Sequence, residues 1–104
     1  MSKASVPAEL TALREQIDRL DQSLVLLLAN RFALTQRVGE LKAREQLQSF
    51  DAAREQRKLE HIRALCQEHG VNAELMAGIL EEIMREVVRN HDRIRQQKEG
   101  GMES

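Results

Sequence analysis

Arg31 and Lys42 stand eleven residues apart in the stretch LLANRFALTQRVGELK. In a helix, eleven steps of ~100° return to within ~20° of the same face. That face is the apolar one. Leu20, Leu24, Leu27, Leu34, Val38 and Leu41 mark it, and Arg31 takes the place between Leu27 and Leu34. A buried, unpaired charge costs several kcal/mol. A cation on such a seam therefore needs partner carboxylates or an anionic ligand. An Arg31 that snorkels to water, or pairs with a Glu, meets the same demand with no ligand at all.

Three further features bear on that choice. Asp51, Arg54 and Glu55 cluster where a second helix should start. Singly, Asp51 also reads as an N-cap, and Arg54 and Glu55 as a solvated first turn. Gly39 lies between Val38 and Lys42, where Gly costs ~1 kcal/mol relative to Ala. Close approach of a ligand or of a second helix would offset that cost. Arg14 precedes Arg31 by seventeen residues, or ~25 Å along a straight helix. It cannot share Arg31's site in the same helix, but in an antiparallel dimer it could reach the partner's.

The elements that must hold these groups are helical. Leu, Ala, Glu, Arg and Gln dominate the 104 residues, with five Gly and one Pro, and no segment alternates as a strand would. The first helix should start near Pro7, which suits a first turn. Its apolar marks run from Leu10 through Leu13 and Ile17 to Leu41, and nothing breaks it before about Glu45. Some 38 residues make ~57 Å of helix, whereas a compact chain of this size has a radius of gyration of ~13 Å. The overhang predicts an intertwined homodimer. A break at Gly39 would give an ordinary bundle instead. Gln46 to Phe50 reads as a polar connection. The second helix begins near Asp51 or Ala52 and ends at His69-Gly70, with Gly70 as a left-handed cap. Asn72 caps the third, which carries Leu75, Met76, Ile79, Leu80, Ile83, Met84, Val87 and Val88 and frays after about Arg95. The fold class is all-α, a three-helix protomer with one very long N-terminal helix. Residues 1–6 and 97–104 read as disordered ends around a helical domain over 7–96.

Composition excludes several classes of function. Sixteen Lys and Arg face seventeen Asp and Glu, a net charge of −1, so nothing global suggests nucleic acid or a membrane surface. With no Trp or Tyr and two Phe, there is little to stack on bases or sugars. No apolar run approaches the ~20 residues of a membrane span, and MSKASVPAEL has no signal-peptide core. One cysteine, Cys66, makes no internal disulfide and reads as a small buried apolar residue; cytosol is the default compartment. His61 and His69 show no ligand spacing, and no metal site is expected.

The combination ELTALREQIDRLD, LLANR, VGELK and DAARE resembles the all-helical chorismate mutases, and especially the mutase domain of bifunctional chorismate mutase–prephenate dehydrogenases. The resemblance runs from about Glu9 to His91 without a gap. No dehydrogenase follows, so a free-standing mutase is expected. The resemblance implies an intertwined dimer with two sites and a small dicarboxylate substrate, chorismate, rearranged to prephenate without cofactor or metal. It implies that Arg14 binds a carboxylate in the partner's site and Arg31 one in its own. Lys42 would donate to the ether oxygen and a carboxylate. Asp51 and Glu55 would accept from the ring hydroxyl, and Arg54 would order the site.

Two positions depart from the family pattern. In IMREVVRNH, Val87 and His91 stand where relatives carry Ser and Gln or Glu. The two share a helix face. Val87 removes a hydroxyl from the site, or is simply core. His91 replaces the second donor to the ether oxygen, or is simply surface. As a donor it predicts activity rising as pH falls through roughly 6–7, where free imidazole titrates. The departures leave 4-amino-4-deoxychorismate and isochorismate open as substrates, and a non-catalytic helical dimer as another class.

Overall fold

The computed structural model describes residues 6–47 and 51–103. Residues 1–5, part of the connection at 48–50, and 104 lie outside it, and with them most of the N-terminus expected to be disordered. Three helices follow in order: α1 (Ala8–Glu45), α2 (Ala52–His69) and α3 (Ala73–Glu103). Among the described residues there is no strand. No described helix is long and apolar enough to cross a membrane.

Local chemistry sets the helix ends. Thr11 N donates to Pro7 O at 3.1 Å, so α1 starts where the proline allows. It is continuous through Gly39, and Lys42 and Arg44 in its last turn complement the macrodipole. Gln46 turns the chain with φ 54°, and Leu47 N reaches back to Lys42 O at 2.9 Å. Asp51 caps α2: Arg54 N donates to its Oδ1 at 3.0 Å. Gly70 closes α2 at φ 69°, ψ 28°, a conformation that favours glycine. Asn72 Oδ1 accepts from Glu74 N at 2.9 Å and Leu75 N at 3.2 Å, which starts α3. α3 differs from the sequence reading at its far end. It continues past Arg95 to Glu103, because Gln, Lys and Glu favour helix and only Gly100 and Gly101 oppose it.

The chain divides into two units, Met1–Leu34 and Thr35–Ser104. The first is the leading part of α1. No residue of α1 is buried. Leu20, Leu24 and Leu27 keep 66%, 56% and 63% of their surface, and the neighbouring Val25 and Leu26 are equally open.

The second unit holds the last turns of α1 with α2 and α3. α2 and α3 pack on each other. Among the described residues, the buried apolar ones are Cys66 from α2 and Leu80 and Val87 from α3. Cys66 is a free, buried thiol, the small apolar role expected of it. His61 and His69 are exposed on α2.

Candidate active site

The cation on the α1 seam is half-buried, not extended into solvent. Arg31 Nη1 is wholly occluded and has no hydrogen-bond partner among the described residues. A guanidinium has five N–H donors and cannot shed its proton, so an occluded, unmatched donor is costly. Lys42, on the same helix in the second unit, is also half-buried. Arg14 is exposed on the first unit.

In the second unit, the start of α2 gathers four charged side chains. Asp51 spends one carboxylate oxygen on its cap and remains exposed. Arg54 Nη1 lies 3.8 Å from Glu55 Oε1. Lys58, one turn on, places Nζ 3.1 Å from Glu55 Oε2. Glu55 and Lys58 face a groove of about 710 Å³ between α2 and α3, lined also by Leu59, Leu80, Met84 and Val88. Of the candidate substrate-binding residues named from the sequence, Glu55 lines that groove.

Val87 is 6% exposed and sits in the core. Its aliphatic side chain offers no hydrogen bond. His91 reaches from α3 to the last turns of α1. Its Nε2 lies 3.3 Å from Thr35 O. A carbonyl only accepts, so Nε2 carries the proton and donates. The ring lies over Gly39, where an added Cβ would stand 2.7 Å from Nε2 and 2.9 Å from Cε1. The close approach foreseen for Gly39 is thus that of α3, through one imidazole.

Lys58 was not among the residues picked out in the sequence. Its signal was there: it follows Glu55 by three residues, so the two share a face. Thr35 likewise gave no sign, because its contribution is a backbone carbonyl.

A helical chain presenting guanidinium and ammonium groups beside carboxylates has the make-up of an enzyme that grips an anionic small molecule. Residues 13–92 match the family described as chorismate mutase type II, and the chain belongs to that family. It is 43% identical to a T-protein of Enterobacter agglomerans over 79 residues, which are 76% of this chain and 21% of that protein. It is 34% identical over 80 residues to a T-protein of Haemophilus influenzae, again 21% of that protein. A chorismate mutase of Methanocaldococcus jannaschii is 34% identical over 64 residues, 62% of this chain and 65% of the relative. The chain therefore spans about a fifth of the length of the two T-proteins.

Proposed function

We propose that this chain is a chorismate mutase, converting chorismate to prephenate in the cytosol as a homodimer. The observation that supports it most is the occluded, unpartnered Nη1 of Arg31. A substrate carboxylate would supply the missing acceptor, and Arg grips carboxylates in planar, bidentate fashion. A second copy of the chain would cover the open apolar face of α1, at about 1.5–3 kcal/mol for each leucine fully buried. In such a dimer Arg14 serves the partner's site.

The reaction breaks one C–O bond and forms one C–C bond within a single molecule. No proton moves and no covalent intermediate is needed. The protein's part is to hold the compressed conformer and to stabilise charge gathering on the ether oxygen. Arg31 and Arg14 fix the carboxylates. Lys42 donates to the ether oxygen, with His91 as the second donor. Asp51 and Glu55 accept from the ring hydroxyl, and Arg54 orders Glu55. Val87 leaves a carboxylate contact unfilled. An acceleration of ~10⁶ needs ~8 kcal/mol, within the means of several cations held away from bulk water.

The test is spectroscopic: loss of the diene absorbance of chorismate, and phenylpyruvate after acid treatment. Arg31→Ala and Lys42→Ala should each lose about 10²–10³-fold in kcat, with circular dichroism unchanged. Variants that instead unfold assign these cations a structural role. A wild-type chain that leaves chorismate untouched ends the proposal.

A further inference from the structure

Lys58 differs from the arginines that form ion pairs on these helices. Its side chain is 19% exposed and its partner Glu55 31%. Arg44, Arg54, Arg85, Arg89 and Arg93, the cations of the more open pairs, keep between 57% and 73%. An open pair of that kind adds little to stability. Lys58 turns inward along the groove, meeting Glu55 Oε2 at 3.1 Å and donating to Oε1 at 3.4 Å.

We propose that Lys58 is a specificity-determining residue: by pairing with Glu55 it makes that carboxylate a reader of a ring hydroxyl and bars a ring ammonium. The inference rests on the proposed reading of Glu55 as the acceptor for the ring substituent. Asp51, Arg54 and Glu55 together carry a formal charge of −1, which would welcome an ammonium; with Lys58 the cluster is neutral. A carboxylate has about four lone-pair sites. Lys58 leaves some of them to accept from a hydroxyl. An ammonium entering the same place would meet the Lys58 charge across one carboxylate, in a groove lined by the apolar Leu59 and Val88 and by Arg63, Glu81, Arg85 and Arg89, three more cations against one carboxylate. Lys58 also holds Glu55 in one rotamer, so its role is one of positioning as well as charge.

The experiment measures kcat/KM for chorismate and for 4-amino-4-deoxychorismate in wild type, Lys58→Met and Lys58→Arg. Wild type should favour the hydroxyl substrate. Lys58→Met should raise the amino-over-hydroxyl ratio by about tenfold or more, and Lys58→Arg should stay within about threefold of wild type. Lys58→Gln serves as a second uncharged variant if Lys58→Met loses helicity. A wild type that prefers the ammonium, or a ratio that stays within about threefold in the uncharged variant, overturns the role of Lys58. A wild type that turns over neither compound overturns the proposed function itself, and Lys58's role with it.

Discussion

The imidazole of His91 lies so close over Gly39 that a methyl group there would stand 2.7 Å from Nε2. The same nitrogen donates to Thr35 O at 3.3 Å. One side chain of α3 thus occupies the space that a missing Cβ leaves on α1, and joins the helix that carries Lys42.

Gly39→Ala should expel that ring. The helix gains ~1 kcal/mol from replacing Gly and loses a hydrogen bond worth about 1 kcal/mol. The midpoint of unfolding should therefore shift little. What should change is His91: its ring resonances in an NMR spectrum should move, and kcat/KM for chorismate should fall about tenfold if the ring is a donor in the site. A variant with unmoved His91 resonances would show that the ring does not rely on the glycine.

Protonation of His91 should raise the rate. With Nε2–H committed to Thr35, neutral His91 has only a lone pair at Nδ1. The imidazolium has an N–H there, and that is the form able to donate to an ether oxygen. The expected profile is kcat/KM rising with acidity. His91→Gln, whose amide donates at every pH, should remove the rise. A wild-type profile without that rise would remove His91 from the reaction.

Arg14 and Arg31 should complement each other across protomers. Arg14→Ala and Arg31→Ala are each expected to be nearly inactive. In a mixture, heterodimers carry one site with both arginines and one with neither. Random reassortment of equal amounts should restore about a quarter of wild-type activity, provided the dimer is symmetric and its sites are shared. Recovery should track a subunit-exchange step such as mild denaturation and refolding. No recovery after demonstrated exchange would place Arg14 outside the partner's site.

Asp51 has a structural duty that can be separated from a chemical one. Asp51→Ala should cost about 1 kcal/mol through the lost cap. Asp51→Asn keeps an oxygen for Arg54 N and should unfold at nearly the wild-type temperature. If Asp51 also accepts from the ring hydroxyl, Asp51→Asn should still lose about tenfold in kcat/KM, since a neutral amide oxygen is the weaker acceptor. Unchanged turnover in that variant would leave Asp51 a cap and nothing more.

The helix boundaries were legible because their causes are local. Pro7, Asp51, Gly70 and Asn72 act within a few residues, so their types alone predict where α1 starts, where α2 starts and stops, and where α3 starts. The far end of α3 was the exception. There good helix formers and two glycines pull in opposite directions, and the sequence pattern does not weigh them. The oddity of Arg31 was likewise visible in one dimension, since a seam needs only the period of the helix. Its occluded Nη1 was not visible.

By itself, then, the order of residues determined three helices, their caps, a cation on an apolar face and membership of a mutase family. Only the tertiary structure decided that Val87 is core, that His91 is seated on Gly39, and that Lys58 turns inward to Glu55. The physical reason is rotation. Periodicity says which residues share a face of one helix, but the angle at which that face meets another helix is set by how side chains from both pack together.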